Sequence, residues 1–408
     1  MTRTTGRARS ARLLPALAAI ALTVPLAGCV DNAPPTQDSG TAGGPAALTV
    51  DSSADACTLS ATTAPSGNLV FTVTNTGADV TEFYLLADDG LRIVAEVENI
   101  GPGLSRDLVT VAKPGEYFTA CKPGMVGDGI RAPFTVTDSG AVVAPTGALA
   151  EQIAVATTGY VGYIKDQTEQ LLTGTEAFVE AYKAGDDDEA RALYAPTRVH
   201  WERIEPVAES FGDLDPRMDL READLADGEE WTGWHLLEKD LWQPDADANG
   251  GEEYVPLTDA QRAQYADQLL ADTAELSERT HSEEFAAEIT ADFIGNGAKG
   301  LLDEVATGKV TGEEEIWSHT DLWDFQANLD GARVAYEGLR DVTVAKDAAL
   351  AEQLDARFAD LQELLDQYRE GDGFVLYTAL DAAEVKELSV AVDALSEPLS
   401  KLTAAVVL

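Results

Sequence analysis

Gly233-Trp234-His235-Leu236-Leu237-Glu238, running on to Leu241-Trp242, sets an imidazole and a carboxylate three residues apart in apolar company. On a helix that spacing puts both groups on one face, within reach of a single ion. Trp234, Leu236, Leu237, Leu241 and Trp242 make the helix a buried or half-buried one, where polar groups cost free energy unless something satisfies them. A metal ion would do so. A His–Glu hydrogen bond inside a helical core would do so too, and the hexapeptide alone leaves both readings open.

This helix sits in a long helical region. Windows rich in Ala, Leu, Glu and Gln run from Leu149 to Tyr182, Asp188 to Phe211, Asp259 to Phe285, Asp347 to Tyr368 and Ala382 to Leu402. Their apolar residues recur at three and four, as in Leu354, Phe358, Leu361 and Leu365. An all-α domain over 141–408 follows, long enough for a large bundle core. The chain before it has a different texture. Val70-Phe71-Thr72-Val73-Thr74, Phe83 to Leu86, Leu91 to Val94, Asp107 to Val111, Glu116 to Thr119 and Phe134 to Val136 read as short strands. Asp88-Asp89-Gly90, Gly101-Pro102-Gly103 and Lys113-Pro114-Gly115 punctuate them, which predicts a β-sandwich over 47–140. The expected fold is therefore multidomain, all-β then all-α, with a linker between Ser139 and Gly147.

The first residues carry Arg3, Arg7, Arg9 and Arg12, then an apolar run from Leu13 to Leu26, then Ala27-Gly28-Cys29. The run is too short for a membrane span and has the layout of a secretory signal peptide, residues 1–28. Leu26-Ala27-Gly28-Cys29 resembles a bacterial lipobox, which makes Cys29 the lipidated first residue of an extracytoplasmic protein anchored to the cell membrane. Residues 29–46, rich in Pro, Gly, Ser and Thr, read as a tether. Cys57 and Cys121 remain; outside the cytosol a disulfide is the default, and a thiolate pair on a metal is the alternative. With 72 Asp+Glu against 28 Lys+Arg, the chain lacks the basic footprint that nucleic-acid binding needs. Most of that charge is a solvated surface.

Other carboxylates lie upstream of His235. Glu202, Glu205 and Glu209 are spaced to share a helix face, solvated or functional. Gly212-Asp213-Leu214-Asp215-Pro216-Arg217-Met218-Asp219 is a loop dense in acids. Two facing helices of this kind can assemble an oxygen-rich site with one nitrogen, as in bundle iron sites. Hard oxygen ligands with one imidazole favour a transition ion such as iron.

The combination of motifs is specific. Gly233-Trp234-His235-x-x-Glu238, preceded by Glu202-Arg203-Ile204-Glu205-Pro206 and by Asp213-x-Asp215-Pro216-Arg217-x-Asp219, resembles the imelysin-type domain of the EfeO family of iron-uptake proteins. Leu301 to Ala306, Lys309-x-Thr311-Gly312-Glu313-Glu314 and Ser318-His319-Thr320-Asp321-Leu322-x-Asp324-Phe325 fit the same family. The resemblance implies a cupredoxin-like sandwich followed by an imelysin-like domain of two helical bundles. It implies capture of Fe2+ or Fe3+ and delivery to a membrane iron permease, beside a haem-peroxidase-like partner. Carried onto this chain, the metal ligands are His235 and Glu238, then Glu205, Asp219 and Glu304, with Glu202 as a neighbouring choice.

A type I copper site needs two histidines and a cysteine. No histidine precedes His200, so that site is excluded. Cys121-Lys122-Pro123-Gly124-Met125 is similar to the sulfur loop of a cupredoxin without its histidine, and Thr119 stands where some relatives have methionine. Relatives are proposed to bind copper or ferric iron through Cys and Glu, so Cys57, Cys121 and Glu82 form either a second site, for copper or zinc, or a disulfide beside an unrelated acid. Glu96 and Glu98 point the same way on a strand. Imelysin domains have also been classed with peptidases, which makes a metallopeptidase the alternative function. His-Glu-x-x-His, the usual zinc-peptidase motif, does not occur in the chain. A scaffold lipoprotein with a structural His–Glu pair is the third class. Asp245-x-Asp247-x-Asn249-Gly250 begins like a calcium loop but has Pro256 at the twelfth position, so it reads as a turn. Ser318 or Thr320 is expected to cap the helix after His319. A lone histidine ligand predicts weaker cation binding as pH falls below about 6.5.

Overall fold

The computed structural model describes residues 44–140, 146–225, 228 and 230–408. The expected signal segment, Cys29 and most of the expected tether lie outside the described residues. Nine strands come first: β1 Ala46–Ser52, β2 Cys57–Leu59, β3 Thr63–Pro65, β4 Gly67–Asn75, β5 Thr81–Leu86, β6 Ile93–Ile100, β7 Ser105–Ala112, β8 Gly115–Pro123 and β9 Ile130–Thr137. They form two sheets, ordered β2-β1-β4-β7 and β3-β9-β8-β5-β6. β4 alternates as its sequence suggests: Leu69, Phe71 and Val73 are buried, and Phe71 meets Phe83 of the other sheet with ring centroids 5.2 Å apart. The strand expected from Leu91 begins at Ile93 instead. Asp89 Oδ1 accepts the backbone N–H groups of Leu91 and Arg92 at 2.8 and 3.0 Å, so both residues belong to an Asx turn.

Cys57 and Cys121 are bonded to each other, tying β2 of one sheet to β8 of the other. Glu82 does not join them. Across the β5–β8 ladder Phe83 stands opposite Cys121 and Glu82 opposite Lys122. Successive side chains face opposite sides of a sheet, so Cys121 packs in the sandwich core while Glu82 points outward, accepting a hydrogen bond from Tyr84. The grouping of Cys57, Cys121 and Glu82 around one ion is therefore not assembled. A disulfide of this kind persists in oxidising compartments, outside the cytosol. Among the described residues no helix is long and apolar enough to cross a membrane.

The helices are α1 Ala148–Ala184, α2 Asp187–Glu202, α3 Glu205–Glu209, α4 Asp215–Met218, α5 Trp234–Trp242, α6 Asp259–His281, α7 Glu283–Glu288, α8 Ala291–Thr307, α9 Asp321–Lys346, α10 Ala348–Leu365, α11 Ala382–Leu399 and α12 Leu402–Val407. One group packs around α1, with α2 and α6; another packs α8, α10 and α12 around α9, which also lies against α1 and α2. One expectation fails here in an instructive way. Asp188 to Phe211 is not one helix, and Glu202, Glu205 and Glu209 do not line a single face. Pro206 has no N–H to give the Glu202 carbonyl four residues back, and its ring crowds that turn. The chain breaks at Arg203-Ile204, Pro206 sits in the first turn of α3, and Asn328 Nδ2 donates to the freed Glu202 carbonyl at 2.8 Å.

The sandwich rests on the helical domain through α8, which contacts β6 and β7. Asp292, buried in the first turn of α8, accepts hydrogen bonds from Thr110 Oγ1 (2.9 Å) and the Val111 N–H (2.7 Å). Ile93 N donates to Ser210 O at 3.0 Å, just before Gly212. A side chain at Gly212 would come within 2.3 Å of Leu91 O, so only glycine permits that approach.

Candidate metal centre

Gly233 starts the centre. It has φ +89°, and a Cβ there would lie 2.2 Å from Met218 O. Glycine thus lets the Arg217–Asp219 backbone run directly against the start of α5. The helix is held by Trp234, whose ring packs 5.1 Å from Phe178 and 5.8 Å from Tyr194. The next residue, His235, is only 1% exposed, and Glu238 is fully buried.

The imidazole has two different sides. Nδ1 lies 3.3 Å from Glu238 Oε2. Nε2 has no aligned hydrogen-bond partner, yet Asp219 Oδ1 and Glu314 Oε1 each lie 3.5 Å from it. The carboxylates are themselves anchored. Trp201 Nε1 donates to Asp219 Oδ2 at 2.7 Å, and the N–H groups of Trp317 and Ser318 donate to Glu238 Oε1 at 3.1 and 2.7 Å. Two triads result, Asp219–His235–Glu314 and His235–Glu238–Glu315, each with its donor atoms within 4.8 Å of one another. All five side chains are buried.

Two buried cations balance this charge. Arg198 donates to Asp219 and to Glu202, and its Nε lies 2.6 Å from Glu315 Oε1. Lys309 Nζ sits 2.6 Å from Glu202 Oε2 and 2.8 Å from Glu205 Oε2. Burial and Arg198 oppose a charge on His235, but Glu238, hydrogen-bonded to Nδ1, and the nearby Glu314 and Asp219 carboxylates prevail, holding its pKa well above the ordinary histidine value. Burial also works against ionised Glu314, yet Lys309, His235 and Arg221 hold its carboxyl far below the usual range. Burial and the Glu238 charge push Glu315 up in spite of Arg198. Burial, with Glu202 and Glu315 nearby, does the same to Asp324, whose two oxygens have no hydrogen-bond partner.

Of the residues singled out from sequence, His235, Glu238 and Asp219 come together. Glu202 and Glu205 flank the cluster as partners of Lys309, and Glu304 is half-buried on α8 and joins neither triad. Glu314 and Glu315 supply the remaining triad oxygens and were not among the expected ligands. Their signal is the acidic run Glu313-Glu314-Glu315 beside Gly312 and Trp317, which no helical pattern absorbs. Ser318 does not cap α9; its hydroxyl donates to Glu315 Oε2 at 2.9 Å. Thr320 sits at the cap position, but its hydroxyl bonds Ser318 Oγ at 2.9 Å and does not cap the helix. His200 bonds Gln167 and His281 bonds Glu169, away from the centre. The Asp245 stretch is a turn in which Asp245 Oδ1 accepts the Ala248 N–H.

A helical domain with one buried imidazole among carboxylates, following a two-sheet region, defines an imelysin-type protein. Residues 156–402 match the imelysin family (peptidase family M75), and the chain belongs to that family. It is 38% identical over 343 residues to the iron uptake system component EfeO of Escherichia coli O157:H7, spanning 83% of this chain and 86% of that protein. EfeO of E. coli strain K12 and of Shigella flexneri align over the same length at the same identity. The chain is an EfeO homologue over both of its parts.

Proposed function

We propose that this protein captures iron outside the cytosol at the His235 cluster and hands it to a membrane permease of the same uptake system, alongside a haem-peroxidase-like partner. The carrying observation is His235 Nε2: a buried nitrogen without an aligned partner, flanked at 3.5 Å by two carboxylate oxygens. One imidazole with hard oxygen donors suits iron better than a thiol-seeking metal. His235, Asp219 and Glu314 would hold the ion, with Glu238 and Glu315 on the other side of the ring. Cys29 would carry the lipid that keeps the protein at the membrane. The bonded pair Cys57–Cys121 offers no thiolate, so copper or zinc at that place is not part of the reading.

The test is titration of the chain from Asp31 onward with Fe(II) under anaerobic conditions and with Fe(III), Cu(II) and Zn(II). Wild type is compared with a His235→Ala, Glu238→Ala double variant. Iron binding by wild type that disappears in the double variant is the expected result. Iron binding that survives the double substitution overturns the assignment.

A further inference from the structure

Arg198 occupies the place where the charge of the centre is decided. It is fully buried near the end of α2, and its guanidinium faces four carboxylates: Glu202, Asp219, Glu314 and Glu315. Three of those four belong to the triads around His235. The overlap extends to single atoms. Asp219 Oδ1 accepts a hydrogen bond from Arg198 Nη1 and is also the oxygen 3.5 Å from His235 Nε2. Glu314 Oε1 lies 3.7 Å from Arg198 Nη2 and is also the second oxygen 3.5 Å from His235 Nε2. A cation held on that nitrogen needs the oxygens that the guanidinium now holds.

The contacts are of two kinds. Glu202 and Asp219 receive aligned N–H bonds. Glu314 and Glu315 are ion pairs only, and the Nε–H has no aligned acceptor despite Glu315 Oε1 at 2.6 Å. The guanidinium therefore has an unused donor and an oxygen beside it. It can release Asp219 and settle on Glu315 with little displacement. Arginine stays charged under all ordinary conditions, so its competition with a bound cation cannot be titrated away.

We propose that Arg198 is the resident counter-cation of the metal-free form of the centre, a specificity-determining and positioning residue that the incoming cation must displace from Asp219 Oδ1 and Glu314 Oε1. Loading is then an exchange of one positive charge for another on the same oxygens, with Arg198 retained on Glu202 and Glu315. The exchange keeps the carboxylates of the metal-free form from repelling one another, and it holds affinity below what the bare ligand set would give, so that the ion can be passed on. This inference rests on reading the His235 cluster as the cation site.

A brace and a competitor predict opposite signs. If Arg198 only braces the ligands, its loss weakens cation binding. If it competes, its loss strengthens binding. Arg198→Gln is expected to bind anaerobic Fe(II) and Zn(II) at least tenfold more tightly than wild type at pH 7.5. Its metal-free form should melt below metal-free wild type, with the gap closing when both are loaded. Arg198→Lys keeps the charge and should bind within a few-fold of wild type. A second measurement does not depend on the variants' stability. In wild type labelled with 15N-arginine, the Arg198 Nε–H resonance, assigned by its loss in Arg198→Lys, should shift in step with Zn(II) up to saturation, and His235→Ala should abolish the shift. Unchanged or weaker binding by folded Arg198→Gln overturns the proposal, as does a resonance that stays in place while wild type loads. Wild type that binds no metal, or binds it as His235→Ala does, brings down the site assignment itself and this inference with it.

Discussion

The sandwich and the helical domain bury opposite things. Inside the sandwich are Leu69, Phe71, Val73, Phe83, Phe134 and a disulfide. Glu82, Glu96 and Glu98 sit on the outer face of the β5–β6–β8 sheet, and Glu96 and Glu98 line one cavity with Pro206 and Lys299 of the helical domain. The helical domain instead takes Arg198, Lys309, His235 and at least six carboxylates into its centre. A dry core is held by area and tolerates neighbours of the right volume. A charged core is held by pairing, and removing one partner leaves the other buried without its counter-charge. The comparison teaches where function can live in this molecule. The sandwich core is apolar and closed by a disulfide, whereas the helical centre is a set of paired buried charges.

The largest expected break in that contrast is at the centre. His235→Ala should lower cation affinity at least about 100-fold, beyond the range seen for groups that merely orient ligands, while the far-UV spectrum stays helical. Isothermal titration with Zn(II) or anaerobic Fe(II) reads it, and a loss under threefold would mean His235 is no ligand. On the sandwich side, Cys57→Ser with Cys121→Ser should cost about 2–4 kcal/mol of stability, measured by denaturant unfolding. Cation affinity at the helical centre should not change, and a large change would show that the two cores are coupled. Smaller still is Asp292→Ala, which removes the bonds to Thr110 and Val111 and should cost about 1–3 kcal/mol. Calorimetry should then resolve a separate, earlier transition for the sandwich; one unchanged transition would place the coupling elsewhere.

The subtlest effect is in pH. Burial and neighbouring acids push Glu96 up to about 8 and Asp215 up to about 7. Such carboxyls ionise more readily in the unfolded chain, so stability of the metal-free protein should decline as pH rises from about 4.5 to 8. His235 acts in the same direction. Its contribution is complete below about 6.5, the unfolded value, and is lost as pH rises through its raised folded value. A bound cation needs the neutral imidazole, so the stabilisation it gives should grow over that same rise. Melting temperatures with and without Fe(II) at pH 5.5, 6.5, 7.5 and 8.5 should therefore diverge. Parallel curves would remove His235 from the ligand set. The weakening of binding on acidification starts above pH 6.5, higher than an unperturbed histidine would give.

Much of this was legible in the residues. Strand alternation and helical periodicity separated the two regions because each is a local, repeating constraint. His235 and Glu238 were legible for the same reason, being three apart on one apolar helix. Asp219 could be found because it closes an acid-dense loop that Gly233 draws against α5. Glu314 and Glu315 were not legible as members of the cluster, since their approach depends on a loop reaching back across the domain. Nor does the Asp188 to Phe211 pattern show its break, because one proline overrides an otherwise continuous helical period. Arg198 and Lys309 look like ordinary surface cations in the sequence; only three-dimensional packing makes them the counter-charges of a buried centre.

That break at Arg203-Ile204 has a practical side. Asn328 Nδ2 reaches both of its edges, the Glu202 carbonyl at 2.8 Å and Glu205 Oε2 at 3.2 Å. The segment from Arg198 to Glu205 is thus not a portable cassette. Grafted onto a straight helix in a designed bundle, it would keep every residue and lose the break that frees the Glu202 carbonyl for Asn328. A designer borrowing this centre has to borrow Pro206 and the asparagine of α9 along with His235 and its carboxylates.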